Sequence, residues 1–256
     1  RDSSTSRGLG DVYKRQKLTD AGNSMSPDIE RVMSLNPDAI LLSPFENAGY
    51  GRIGKMGIPI IECADYLETS PLGRAEWIKF FGLLYGKEVE TDSIFTEVEK
   101  NYTELRNKIG ILSSAPVVIS ELKSGSAWYM PGGKSYMARF FKDAGAAYPW
   151  SDNPETGSIP LSFETVFNRA GEADIWLIKS FNVSELSYRT LQKEYAPYAR
   201  FKAFREKKIY GCDSSRCNYY EETPFRPDLL LQELAALFHP GLFPDYRFRY
   251  YQPLSE

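Results

Sequence analysis

The stretch EVETDSIFTEVEKNYTELRNK, residues 88–108, decides how the rest of the chain is read. Ile94, Phe95, Val98, Tyr102, Leu105 and Ile109 recur at three- and four-residue spacing and form one apolar stripe. The opposite face is charged, and Glu104 stands one turn from Lys108, a favourable helical pair. Gly110 then supplies a stop through the left-handed cap that glycine enters cheaply. A helix of this length spans roughly 30 Å at 1.5 Å per residue, about the width of a small domain. Short apolar strands alternating with helices lie on both sides, so the helix reads as a strut between two lobes, placed at residues 88–112.

Working back from the strut, residues 71–85 read as an amphipathic helix with Trp77, Ile78, Phe81 and Leu84 on its apolar side. Before it come two buried strands, Ala39–Leu42 and Ile58–Cys63, separated by a loop with Phe45 and Tyr50 and followed by one with Asp65, Tyr66 and Glu68. Ser26 is expected to cap a helix that has Pro27 at its first position and Asp28 and Glu30 in its first turn. Residues 1–16 show no periodicity and are expected to be a disordered, non-native leader, with a partial first lobe at 17–87.

Working forward, strands are expected at 116–120, 127–129, 175–178 and 208–210, and helices at 135–144, 162–169, 188–206 with a break at Pro197, and 227–238. Residues 148–159, rich in Pro, Gly, Asn and Asp, read as loop. The second lobe is placed at residues 113–256. The fold class is α/β: two lobes with mainly parallel sheets covered by helices, joined by the long helix.

One internal echo stands out. Ser26-Pro-Asp-Ile-Glu-Arg-Val-Met followed by Asp38-Ala-Ile-Leu-Leu is answered by Leu161-Ser-Phe-Glu-Thr-Val-Phe followed by Asp174-Ile-Trp-Leu-Ile. Each is a capped short helix, a break at Asp and a buried strand, and Glu30 and Glu164 occupy the same place in the two copies.

Composition narrows the function classes. Of 256 residues, 42% are hydrophobic and 25% charged, as in an ordinary globular protein. The net charge of -3 gives no general attraction to nucleic acid or an anionic membrane. No apolar run is long enough to span a bilayer. Aromatic residues reach 14%, which suits a well-filled core and ligand recognition alike.

No catalytic constellation emerges. Pro131-Gly-Gly-Lys-Ser135 opens a helix as a phosphate-binding loop does, but Trp128 stands where that motif requires its first glycine. His239 is the sole histidine and precedes a proline at a helix end, so it reads as a capping or surface group. A zinc site would need Cys63, Cys212 and Cys217 to converge, which their contexts do not suggest. Cys212 and Cys217 are near enough to bridge in an oxidising compartment, and the sequence leaves that open.

In open parallel sheets ligands sit beyond the carboxyl ends of the strands. The loops expected there carry Phe45, Tyr50, Tyr66, Phe181, Arg216, Tyr219 and Tyr220, with Trp128 and Tyr129 nearby. An aromatic cleft with a few charges suits a bulky, partly flat solute, while some of these tyrosines would equally cap core edges.

These residues resemble a known family. The run Ser26–Leu42, with its helix, Pro-Asp and strand, is similar to the signature of substrate-binding proteins of iron-complex and cobalamin ABC importers. Gly57-Ile-Pro-Ile-Ile fits the next strand, residues 88–108 the interdomain helix, Gly133-Lys-Ser-Tyr-Met with Asp143-Ala-Gly the opening of the second lobe, and Ser162-Phe-Glu-Thr-Val-Phe its partner motif. The resemblance runs from about Lys17 to the C-terminus.

It implies a bilobed, non-enzymatic receptor, periplasmic or anchored outside the inner membrane, that works as a monomer. It would hold an iron chelate, haem or cobalamin between its lobes and deliver it to a membrane permease. The ligand would be met by Phe45, Tyr50, Tyr66, Trp128, Tyr129, Phe181, Arg216 and Tyr219. Two acidic residues, one per lobe, dock on permease arginines in that family and correspond to Glu30 and Glu164. No cofactor or resident metal is expected. The family also has a strand-rich segment before the position of Lys17, so the first lobe is expected to be incomplete here. Arg216 and Lys123 favour an anionic iron chelate (ferric siderophore or haem), and an aromatic cleft alone would favour cobalamin. A two-lobed metal-cluster enzyme is the remaining alternative, and it would need more Cys or His ligands than the chain offers.

Overall fold

A computed structural model of the chain describes residues 19–23, 26–44, 50–112, 114–181 and 186–256. The chain divides into two compact units, the first ending at Glu68 and the second running from Thr69 to Glu256.

In the first unit, strands β1 (Gly22–Asn23) and β2 (Ser26–Pro27) pair antiparallel, with Gly22 opposite Pro27. That pairing draws Ser26 and Pro27 into extended backbone, so the helix begins later, at Ile29, and the expected Ser26 cap is replaced. Asp28 caps it, its carboxylate accepting the Arg31 N–H at 3.1 Å. The helix Ile29–Leu35 ends at Asn36, which takes a left-handed φ of 44°. Asn is one of the few non-glycine residues that enter this region readily. Strands β3 (Ile40–Leu42) and β4 (Ile60–Glu62) pair in parallel, Ile40 against Ile60 and Leu42 against Glu62. Val32, Ile53 and Cys63 are its buried apolar side chains among the described residues.

The second unit opens with helix Pro71–Leu84, capped by the Ser70 hydroxyl accepting the Gly73 N–H at 3.3 Å. The long helix, Glu88–Ile109, follows after a tight turn and buries Phe95, Val98, Tyr102 and Ile109. Its packing partners are helices Pro71–Leu84 and Pro227–Phe238, both in the same unit. The break between units therefore falls at residues 68 and 69, ahead of the boundary expected at 87. The physical reason is the seam where Ala75 packs with Phe95 and Val98, which joins helix Pro71–Leu84 to the long helix. Gly82 lets that seam close: a Cβ there would lie 2.0 Å from Thr91 Oγ1. Gly110 does cap the long helix, but at φ −60°, with its N–H to Arg106 O, and not in the expected left-handed form.

The principal sheet runs from Gln252–Pro253 at one edge through Ile209–Asp213 and Ile175–Ser180 to Val118–Ser120. Strands β5 (Val118–Ser120), β9 (Ile175–Ser180) and β10 (Ile209–Asp213) run parallel, and β11 (Gln252–Pro253) adds an antiparallel edge. Ile175–Ile178 is buried at all four positions, as a strand covered on both faces must be. A second sheet, β6-β7-β8, is antiparallel and built from β6 (Lys123–Ser124), β7 (Ala127–Pro131) and β8 (Ser158–Leu161). Strand β8 falls partly in the segment expected to be loop. Its ladder with β7, Trp128 opposite Leu161 and Pro131 opposite Ser158, comes from a partner about thirty residues away that local composition does not show.

Between the sheets and helices lies an aromatic core. Trp128 and Trp176 sit 5.3 Å apart between ring centroids, with Tyr198 and Phe201 packed against both. Helices Tyr136–Asp143 and Phe163–Ala170 are capped by Ser135 and Ser162, whose hydroxyls accept the Ala138 and Thr165 N–H groups. The fold is mixed α/β. No helix among the described residues is long and apolar enough to cross a membrane.

Candidate functional site

The carboxyl ends of β5, β9 and β10 bring together three segments far apart in sequence. Cys212 stands opposite Lys179 and Asp213 opposite Ser180 in the β9–β10 ladder. The β5 ladder ends with Ser120 opposite Leu177, and the Glu121 N–H then donates to Leu177 O at 2.8 Å. Glu121 turns the chain here with a φ of 64°, unusual for a residue with a Cβ.

That turn lets the Glu121 carboxylate form an ion pair with Lys179 from β9. Burial of Lys179 works to lower its pKa, but the Glu121 carboxylate outweighs it, and the ammonium titrates above its ordinary range. The backbone of the same turn is held by two indoles: Trp176 Nε1 donates to Glu121 O at 2.8 Å and Trp128 Nε1 to Ser120 O at 3.0 Å. Ser120 Oγ is buried beside them without a hydrogen-bond partner.

The loop after β10 is pinned to β9. Ser214 donates both its N–H and its hydroxyl to Ser180 O, at 2.9 and 3.0 Å. Asp213 Oδ1 accepts from Ser215 N–H and Oγ, while Arg216 Nε lies 3.2 Å from Asp213 Oδ2. Beside this loop is a cavity of about 450 Å³ lined by Ser180, Leu186, Gly211, Asp213, Arg216, Cys217 and Arg249 among others. A separate cavity of about 670 Å³, lined by Ser70, Lys134, Ser135, Arg139 and Lys142, holds none of the expected ligand residues.

The expected site residues separate into two groups. Tyr129, Phe181 and Arg216 are at the surface of the second unit, with Tyr129 half exposed, Phe181 62% exposed and the Arg216 side chain 74% exposed. Trp128 and Tyr219, in contrast, are core. Alternation along β7 turns Trp128 and Met130 inward and Tyr129 outward, so only one of the adjacent aromatics can face a ligand. Trp128 exposes none of its surface. Tyr219 is enclosed by Tyr250 and Tyr251, donates its hydroxyl to Met137 Sδ at 3.6 Å, and has its pKa raised by burial.

In the first unit, Tyr50 donates its hydroxyl to Glu62 Oε1, a bond that raises its pKa, and Tyr66 donates to Pro44 O. Tyr66 is exposed, and Phe45 lies outside the described residues. Sequence reasoning missed Glu121 and Lys179. A lysine closing the buried run Ile175-Trp-Leu-Ile was the signal available.

Glu30 and Glu164 are each the second residue of a helix, after Asp28 and Ser162 respectively, and both are exposed. An acidic residue in a helix's first turn meets the positive end of the helix dipole. Among the described residues no group of three or more His, Cys, Asp or Glu could hold a metal ion.

A family model described as "Periplasmic binding protein" matches residues 2–215. The chain belongs to the periplasmic binding protein family. The match begins ahead of Lys17, where the resemblance read from the residues started. Members of this family are solute-binding proteins that work outside the cytoplasm, not enzymes. Among curated relatives, an uncharacterized lipoprotein of Methanocaldococcus jannaschii is 31% identical over 238 residues, covering 89% of this chain and 54% of its own. A second uncharacterized lipoprotein of that organism is 25% identical, with 96% of this chain and 64% of its own covered. The chain thus spans between half and two thirds of the length of these relatives.

Solved structures of periplasmic binding proteins share the fold. The periplasmic heme-binding protein RhuT from Roseiflexus sp. RS-1 matches with a TM-score of 0.68 at 21% identity, covering 90% of this chain and 87% of its own. The TroA-like periplasmic binding protein FepB from Veillonella parvula matches with a TM-score of 0.66 at 18% identity, covering 99% and 86%.

Proposed function

We propose that this periplasmic binding protein is the solute-capturing component of an ABC importer, and that its solute is an iron complex, either a ferric siderophore or haem. The observation that carries the reading is the rim at the carboxyl ends of the second unit's parallel strands. There Phe181 follows β9 with an exposed ring and Arg216 follows β10 with an exposed guanidinium, beside the Glu121–Lys179 pair, and Tyr129 offers a further exposed ring from the second sheet. Flat or chelating ligands favour aromatic contact, and Arg recognises carboxylate or catecholate oxygens by charge-assisted hydrogen bonds.

Two further points support the reading. RhuT is named a heme-binding protein, and the V. parvula neighbour is named FepB. Haem iron can be held by tyrosine as well as histidine, so the scarcity of histidine does not argue against haem. Delivery would run through Glu30 and Glu164, exposed at equivalent helical positions, docking on cationic groups of a membrane permease. The lipoprotein names of the two M. jannaschii relatives support anchoring outside the membrane. Cobalamin is the second reading, favoured because Phe181 and Tyr220 leave large aromatic surface exposed while Arg216 is partly engaged by Asp213.

The test is a titration of the protein with ferric siderophores, haem and cobalamin, followed by fluorescence of Trp77, Trp128, Trp150 and Trp176. Saturable quenching by an iron complex alone supports the proposal, and quenching by cobalamin alone replaces it with the second reading. A folded protein that responds to none of them overturns both.

A further inference from the structure

Cys212 and Cys217 lie five residues apart at the rim of the candidate site. Cys212 belongs to β10 and is fully buried, while Cys217 is half-buried and lines the cavity of about 450 Å³. Their sulfurs are 3.7 Å apart, in van der Waals contact. The loop between them is already folded into a turn: Arg216 N–H donates to Asp213 O at 2.9 Å, and Asp213 gathers Ser215 as described above. Cys217 Sγ also lies 3.4 Å from Asp213 O. To bond, the two sulfurs must close from 3.7 Å to roughly 2.0 Å. The third cysteine, Cys63, is buried in the first unit.

We propose that Cys212 and Cys217 form a reversible intrachain disulfide that locks the loop carrying Arg216. The oxidant is a low-molecular-weight disulfide. Cys217 attacks one of its sulfurs as the thiolate, forming a mixed disulfide and releasing one thiol. Cys212 then attacks the Cys217 sulfur and releases the second thiol, so two protein thiols are oxidised and one external disulfide is reduced to two thiols. The geometry assigns these roles, because only Cys217 opens on the cavity. The hydrogen bond from Cys212 lowers the Cys217 pKa, and that same bond together with burial raises that of Cys212. Lys179, opposite Cys212 in the ladder, acts against that rise, and consumption of the Cys217 thiol in the mixed disulfide removes the bond that contributes most to it. The inference does not depend on which solute is bound.

The sequence supplies a direct readout. Trypsin cleaves after Lys208, Arg216 and Arg247, whereas Arg226 is followed by Pro227 and resists cleavage. A Cys212–Cys217 bond therefore joins peptide 209–216 to peptide 217–247. The full chain would be equilibrated with mixtures of reduced and oxidised glutathione, quenched by alkylation and digested. The expected result is the joined pair, lighter by two hydrogens than the separate thiol peptides, growing in as oxidised glutathione rises and vanishing with dithiothreitol. C217S should abolish it while circular dichroism shows the chain still folded. Separate, fully alkylated peptides across the whole range would overturn the proposal. So would glutathione retained on Cys217, or a link from either cysteine to Cys63.

Discussion

Tyr102 donates a hydrogen bond of 2.8 Å to Asp143 Oδ2, and both side chains are buried. This bond ties the middle of the long helix to the end of helix Tyr136–Asp143, whose Arg139 donates to the same carboxylate oxygen at 3.0 Å. Tyr102→Phe keeps the ring that packs on Phe140 and removes only the hydroxyl. The expected loss is about 1–2 kcal/mol of unfolding free energy. Urea denaturation measures it, and an unchanged midpoint would mean that this bond adds nothing to the anchoring of the helix.

Gly82 is expected to resist substitution although it sits inside a helix, where Ala is ordinarily better by about 1 kcal/mol. The Thr91 hydroxyl that a new Cβ would meet is itself held by Lys87 O at 2.9 Å, so it cannot swing away without losing a bond. Gly82→Ala should lower stability by about 1–3 kcal/mol, as overpacking does. A thermal melt showing a gain would place the contact between these two helices farther apart than described.

Asp174 should make stability depend on acid pH. Burial acts to raise its pKa, but Lys202 Nζ at 2.7 Å and the Val117 N–H at 2.8 Å more than offset this, and the folded value lies below the ordinary 3.8. A depressed carboxylate pKa means that the unfolded chain binds the proton more readily. Its contribution is therefore present above 3.8 and disappears as pH falls through the lower folded value. Asp174→Asn should cost about 1 kcal/mol at neutral pH, reduced because the group is partly exposed, and the gap to the parent protein should narrow in acid. A gap constant from neutral pH to pH 3 would contradict the assignment.

Glu121 and Lys179 form a pair of which neither member is readily replaced alone. Glu121→Gln leaves a largely buried ammonium without its counter-charge, at an expected cost of about 2–4 kcal/mol. Glu121→Gln combined with Lys179→Met should recover much of that loss. Additive losses in the double variant would show that the two side chains do not interact.

Glu30 and Glu164 should separate transport from binding. With both changed to Ala, solute affinity is expected to stay within about twofold, while uptake by cells or vesicles carrying the cognate permease is lost. Arg216→Ala should do the reverse, weakening binding by about tenfold, equivalent to about 1.4 kcal/mol. Uptake that survives the double substitution would remove these glutamates from the docking role.

What the sequence by itself determined is whatever depends on neighbours within a turn or two. Four of the six residues read as the stripe, Phe95, Val98, Tyr102 and Ile109, are buried while Ile94 is exposed, and these four, the serine cap at Ser162 and the equivalent placement of Glu30 and Glu164 follow from local periodicity and capping chemistry. So did the family resemblance, which rests on the order of such local units. The tertiary structure alone decided what depends on distant partners. Pairing with β7 made a strand of Ser158–Leu161, and pairing with Asn23 moved the first helix cap from Ser26 to Asp28. Packing of Ala75 on Phe95 and Val98 set the boundary between units. The facing of β7 sent Trp128 to the core and Tyr129 to the surface, and Glu121 met Lys179 across 58 residues. Periodicity names the two faces of a strand, but only the sheet and helices packed against it choose which one is buried.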